Sequence, residues 1–303
     1  MPKALVIGSE GNIGVPLVKH LRALGYEVRE SDIRPAWRED YLMADINHPV
    51  DLLPAFDWKP DVVFILSAMV SRVTCEQASS LAISTNLGGI NNVLQLCKRV
   101  KAMTVFFSTS EVYGPECNPM DEAISNPKPN NRYGLSKLLG EQLVEYEART
   151  YGLKAVSLRP FMMYDEDEDL GDHRSAMIRF VTNLATGRQI EVHQGSMRGW
   201  LHVSDAVRAI EAAAHVKEYS VINIGHPEIL SIADLAEIIR RELQAAPSLI
   251  TYRELPSRMT LIKRPTLERQ KSILGVVPKI SPAEGVKLVC SRVRQRIAVG
   301  EQA

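Results

Sequence analysis

Tyr133 and Lys137 stand four residues apart in the stretch YGLSK, which puts them on one face of a helix, a single turn apart. An ammonium held beside a phenol favours the phenolate and draws its pKa down from an ordinary value of about 10. A tyrosine tuned in this way can take the proton of a substrate hydroxyl. Pairs of this spacing are also common as plain contacts on helix surfaces, so their place in the chain has to decide. They follow the apolar run that ends FFSTSEVYG, and the carboxyl end of a strand is where an open parallel sheet presents its chemistry. That run delivers Thr109, Ser110 and Glu111 to the same region.

A second constellation lies at the start of the chain. GSEGNIG sets Gly8, Gly11 and Gly14, with Asn12 and Ile13 between the last two, after the apolar run KALVIG and before an amphipathic stretch from Ile13 to Leu24. Glycines in that setting allow a tight turn and a close approach of backbone to a pyrophosphate, while the helix start offers unpaired N–H groups. An ordinary turn could carry the same glycines. Asp32, at the end of the second apolar run, tips the reading, because a carboxylate there accepts from both ribose hydroxyls of NAD. It would repel the 2′-phosphate of NADP, so NAD is favoured even with Arg34 close by. Asp45 and Ile46, in the triplet that starts at Ala44, are candidates to flank the adenine, although a short loop triplet serves a structural role just as easily. The positive nicotinamide ring then joins Lys137 in favouring the phenolate.

The elements that must position these groups are legible as alternating runs. YEVRES, DVVFILSA, the helical NLGGINNVLQLCKRV, MTVFFSTS, a helix from Tyr133 to Tyr151 and KAVSLRPFM follow one another. Continuous apolar strands separated by helices predict a parallel sheet covered on both faces. After about Met163 the texture changes to DEDEDLGD, RQIEVHQG, VINIG and a helix SIADLAEIIRRELQ, opened by Ser231 with Asp234 as its capping-box partner. We therefore expect an α/β fold: a doubly wound parallel sheet over residues 1–162 and a smaller mixed α/β C-terminal substrate lobe over 163–303. The chain is free to cross between the two, with a cleft where they meet.

Bulk properties narrow the partners. With 36 basic and 36 acidic residues the formal charge is zero, so nothing global points to nucleic acid or an anionic membrane. No apolar run reaches the length of a membrane span, and the start of the chain lacks a signal-peptide pattern, which reads as cytoplasmic. The four scattered cysteines, Cys75, Cys97, Cys117 and Cys290, lack metal-ligand spacing and read as free thiols. No metal is expected. The acidic run Asp165 to Asp169 has neither the spaced ligands nor the glycine of a calcium loop, and reads as a mobile, solvated lid. His173, His193, His202 and His226 are given no role.

Taken together, GSEGNIG, Asp32, LSA at Leu66 to Ala68, STSEVYG and YGLSK resemble the extended short-chain dehydrogenase/reductase family, in its nucleotide-sugar epimerase, dehydratase and decarboxylase branch. The similarity continues into RGWLHVSDAVRA and VINIG and covers nearly the whole chain. The resemblance implies a Rossmann-type domain in which Leu66, Ser67 and Ala68 also line the NAD site. Tyr133 would take the C4 hydroxyl proton of a nucleotide-diphosphate sugar as hydride passes to NAD, Lys137 would hold the nicotinamide ribose, and Thr109 would hydrogen-bond the C4 oxygen. Ser110, Arg198, Lys263 and Arg264 would contact substrate, Arg198 at the diphosphate. Family members pair through helices corresponding to Leu87–Lys98 and Tyr133–Tyr151, which implies a homodimer.

Glu111 decides which reaction follows. A C4 ketone acidifies the C5 hydrogen and makes a C6 carboxylate a β-keto acid. Thr109-Ser110-Glu111 looks like the triplet of UDP-glucuronate decarboxylases and GDP-mannose 4,6-dehydratases, so Glu111 is expected to act at C5 or to position the C6 group. As a residue that merely caps or salt-bridges, Glu111 would leave C4 epimerisation as the alternative. The chain departs from the family at Met162, where an asparagine is usual, and at Lys263, where the decarboxylases have arginine without whose fork only a point charge remains. The loss at Met162 keeps open a dehydrogenase of a small alcohol or amino acid. A non-catalytic NAD-binding regulator has no need of Thr109, Tyr133 and Lys137.

Overall fold

In the computed structural model β1 (Lys3–Ile7) sends Ala4 and Val6 into one apolar cluster and Leu5 and Ile7 into a second, on the opposite face. The structure describes residues 1–124, 126–170, 175–255 and 260–300, so His173 lies outside it. After α1 (Gly14–Ala23) come β2 (Glu27–Asp32), β3 (Tyr41–Met43) and α2 (Pro49–Asp57). β4 (Val62–Ile65) repeats the two-residue alternation, with Val62 and Phe64 in the first cluster and Val63 and Ile65 in the second. Beyond it lie α3 (Arg72–Gln77), α4 (Ser79–Ile83), α5 (Ile90–Val100), β5 (Met103–Phe107), α6 (Arg132–Tyr151) and β6 (Ala155–Pro160). Both faces are apolar because both are covered.

The rest of the chain supplies β7 (Met162–Tyr164), α7 (Ala176–Ala185), β8 (Ile190–His193), β9 (Met197–His202), α8 (Val203–Ala212) and β10 (Val221–Ile224). It ends with β11 (Ile229–Ser231), α9 (Ile232–Leu243), β12 (Ile250–Arg253), β13 (Ile262–Lys263), α10 (Glu268–Ser272) and α11 (Pro282–Ala298). Among the described residues, seven parallel strands form the central sheet in the order β10-β6-β5-β4-β1-β2-β3. α1 and α8 cover the first cluster; α2, α5 and α6 cover the second. A third cluster joins α7, α9 and α11 around the buried Trp200 and forms the body of the smaller lobe.

The division between lobes is interleaved. The chain leaves the sheet after β6, places β7 beside β9, and then returns through α8 and β10 to extend the same sheet beyond β6. Among the described residues, 201–224 therefore pack with the cofactor half, as do Met163, Leu274 and Val276, while α7, α9 and α11 build the other.

Three local expectations are refined by packing. The helix read from Asn86 begins as a π-turn over Ser84–Gly89 before α5, and α6 starts at Arg132 with Asn131 as its cap. Ser231 caps α9 by accepting from the Asp234 N–H at 2.9 Å, but the Asp234 carboxylate takes the serine hydroxyl at 2.7 Å rather than a backbone N–H, since aspartate is too short to reach back. The acidic run is no free lid: Glu166 pairs with His202 at 2.7 Å, Asp167 with Arg292 at 2.6 Å, and buried Glu168 accepts from the Ser175 N–H at 2.9 Å.

Candidate active site

Strand order reverses between β1 and β4, and the crevice beyond their carboxyl ends is the natural binding place in such a sheet. A cleft of about 860 Å³ opens there and runs from the ends of β2 and β3 to the start of α6 and on to β13. Gly8, Gly11, Asn12, Ile13 and Gly14 line one wall; Asp32, Asp45 and Ile46 line one end; Leu66, Ser67 and Ala68 form the floor after β4. Thr109, Ser110, Glu111, Tyr133, Lys137 and Lys263 line the other end. Two expected substrate contacts are not among the lining residues. Arg198 is buried on β9 with its guanidinium donating to the carbonyls of Met197, Thr260 and Leu261 at 2.7–3.0 Å, and Arg264 is exposed beside the cleft lining.

The glycine loop fits a dinucleotide because side chains are excluded from it. Gly8 has φ +94°, and a Cβ there would come within 2.7 Å of the Ser67 nitrogen; at Gly14 a Cβ would fall 2.2 Å from the Gly8 carbonyl. Asp32 is aimed by two backbone donors, Glu10 N–H at 3.0 Å on Oδ2 and Arg34 N–H at 3.1 Å on Oδ1. Each oxygen keeps a lone pair for a ribose hydroxyl. In the walls, the buried hydroxyls of Ser67 and Ser108 have no partner among the described residues, which leaves donors for a polar ligand. These residues fit NAD.

The reacting end is assembled by one glycine and two asparagines. Gly134 lets α6 start against the Glu111 backbone, since a Cβ would lie 2.6 Å from the Glu111 carbonyl. Asn131 caps α6 by accepting from the Gly134 N–H at 2.9 Å and donates its amide to Glu111 Oε2 at 2.9 Å. Asn86, buried in the π-turn, accepts from the Met69 N–H at 2.8 Å and donates to the Met69 carbonyl at 3.0 Å and to Ser136 Oγ at 2.9 Å. It thereby ties the floor of the cleft to α6; π-turns recur at functional sites for such reasons. Sequence reading passed over Asn86, Asn131, Ser108 and also Arg72, whose only mark is a cation next to Ser71 in an otherwise neutral connection.

Electrostatics at this end is governed by burial. Burial pushes the Tyr133 phenol up, a hydrogen bond with Thr109 pulls it partly back, and the Glu111 charge raises it again. Lys137 is fully buried over the Phe106 ring, and burial draws its ammonium down to about 7, with Glu141 opposing. The expected acidified phenol is therefore not what the chain achieves alone: Tyr133 and Lys137 both line the cleft from α6, but desolvation works against both charges. Glu111 is also pushed up by burial, yet the charge and hydrogen bond of Lys263, the Arg72 charge and the Asn131 amide outweigh it and hold the carboxyl below its usual value. Lys263 is pulled down by burial and held up by Glu111.

The lowered Lys137 value carries a sign that can be measured. The unfolded chain binds this proton up to about pH 10.5 and the folded chain only up to about 7, so raising the pH between them stabilises the fold. In the NAD-free protein Lys137→Met should raise Tm most near neutral pH, with the gap to wild type closing as pH rises towards 9. A gap that stays constant across that window would show that Lys137 does not carry the burial cost.

The profile of the NAD dependent epimerase/dehydratase family matches residues 4–225. UDP-glucuronic acid decarboxylase 6 of Arabidopsis thaliana is 27% identical over 311 residues, covering 98% of this chain and 90% of that protein. A UDP-N-acetyl-alpha-D-glucosaminuronate decarboxylase of Bacillus cytotoxicus is 27% identical, covering 94% of this chain and 95% of that one. The crystal structure of UDP-glucose 4-epimerase with UDP-glucose from Thermotoga maritima superposes with a TM-score of 0.90 at 24% identity, over 97% of this chain and 99% of that chain. The glycine loop, the aimed Asp32 and the Thr109–Tyr133–Lys137 set lie within the matched span, and the chain belongs to the NAD dependent epimerase/dehydratase family, with NAD as its cofactor.

Proposed function

We propose that this chain converts a nucleotide-diphosphate sugar through a transient 4-keto intermediate without net redox, ending in dehydration or decarboxylation. The observation that carries this reading is the Glu111 carboxylate lining the cleft next to Thr109 and Tyr133, ionised and held on both oxygens. Tyr133 takes the C4 hydroxyl proton and Thr109 steadies the same oxygen. NAD, when bound, supplies the acceptor and later donor of the C4 hydride and a positive ring beside the phenol. Asp32 holds its adenosine ribose and Lys137 its nicotinamide ribose. Glu111 then moves a proton at C5 or fixes the C6 group while carbon dioxide leaves. The long match to two decarboxylases of nucleotide-linked uronic acids supports this choice.

C4 epimerisation is the second reading, favoured by the ion pair with Lys263, which makes Glu111 a weaker base. Proton NMR of turnover in deuterated water, over UDP-, dTDP- and GDP-sugars including UDP-glucuronate, separates the two. Deuterium at C5 of the product is the expected result; a C4-inverted product free of deuterium would replace it with the epimerase reading. A cytoplasmic homodimer paired through α5 and α6 belongs to the same proposal, and sedimentation of the purified protein as a monomer would remove the dimer from it.

A further inference from the structure

We infer that Arg72 and Lys263 together form a subsite for a carboxylate carried beside the reacting carbon of the substrate, with Glu111 holding the place of that anion. The inference rests on the nucleotide-sugar reading and narrows it to uronic acids. Arg72 opens α3, in the connection after β4, and lines the cleft with Nε 3.8 Å from Glu111 Oε2. Lys263 comes from β13 in the other lobe and takes Glu111 Oε1. The two cations thus grip one carboxylate from opposite lobes. Arg198, aligned with Lys263 across the β9–β13 pair, adds a third positive charge that feels Glu111.

Among the described residues three carboxylates line the cleft, and two of them, Asp32 and Asp45, stand at the adenosine end. The reacting end therefore sets several cations against Glu111, and a second anion there would be attracted. Its place on the substrate follows from the neighbours. Glu111 donates its backbone N–H to the Thr109 hydroxyl at 3.2 Å, and both line the cleft with Tyr133. An anion within reach of Arg72 and Lys263 is thus attached next to the carbon whose hydroxyl Tyr133 meets, not at the nucleotide. Arrival of that anion draws the cations off Glu111 and raises its affinity for a proton, the proton that C5 must receive once the C5–C6 bond breaks and carbon dioxide leaves, so recognition and activation become one event.

The test uses NAD-loaded protein on the Tyr133→Phe background, which prevents turnover, and measures binding of UDP-glucuronate, UDP-glucose and UDP by calorimetry. Adding Arg72→Met should weaken UDP-glucuronate by about 10- to 100-fold, the range for losing a hydrogen bond between charged groups, and leave UDP-glucose and UDP unchanged. Arg72→Lys should regain part of the loss. Equal weakening of all three would assign Arg72 to the diphosphate or to the fold and overturn the inference, as would no weakening. UDP-glucuronate bound no better than UDP-glucose before Arg72 is changed also overturns it, with the nucleotide-sugar reading intact; binding of none of the three sinks both.

Discussion

Tyr133→Phe should lower turnover by about 10²- to 10⁴-fold, the range supplied by a positioned acid–base group, while NAD binding stays nearly unchanged. Phenylalanine keeps the ring, and with it the packing at the start of α6; only the oxygen that meets the substrate hydroxyl is lost. The Thr109 hydroxyl loses its partner but retains the Glu111 N–H. Product yield from the active sugar, read beside NAD affinity from fluorescence titration, checks both halves. Retained turnover would mean that another group takes the proton, and a parallel loss of NAD binding would mean that the hydroxyl serves the cofactor site instead.

Glu111→Gln should separate the two halves of the reaction. The amide keeps the shape of the carboxylate but can neither take a proton at neutral pH nor balance Lys263. C4 oxidation, carried by Tyr133 and Thr109, should persist, so that borohydride traps a 4-keto sugar, while final product falls by about 10²- to 10⁴-fold. Normal product would reduce Glu111 to a strut between Asn131 and Lys263. Loss of the trapped ketone together with product would place its role in holding the site together, since a buried lysine stripped of its partner is costly.

What could be read from the sequence was local or periodic. The two-residue alternation of β1 and β4 carries the doubly covered sheet, and the glycine loop is dictated by contacts between neighbours such as Gly14 on Gly8. Pairings across long separations were not legible. Lys263 reaches Glu111 from 152 residues away, and the expected diphosphate arginine, Arg198, finds backbone carbonyls 62 and 63 residues along the chain. The acidic run looked solvated because its partners His202 and Arg292 lie in other elements. The Tyr133–Lys137 spacing puts both residues on α6 where they line the cleft, but the direction of each pKa shift follows from depth of burial, which spacing does not encode.

The return of β10 to the central sheet bears on how this enzyme is made and how it can be recombined. Asn223 of that strand accepts from the Tyr113 hydroxyl at 2.8 Å and donates to the carbonyls of Met120 and Thr266 at 3.0 and 3.1 Å, so it stitches the segment beyond Glu111 to the connection that follows Lys263. During synthesis β6 remains an open edge until residue 224 has emerged, and Tyr113 and Met120 lack their Asn223 partner until then. The cofactor half is thus not a cassette that can be cut at residue 162 and fused to a foreign partner. A viable graft must carry residues 201–224 with it, together with Leu274 and Val276, which pack in the same cluster.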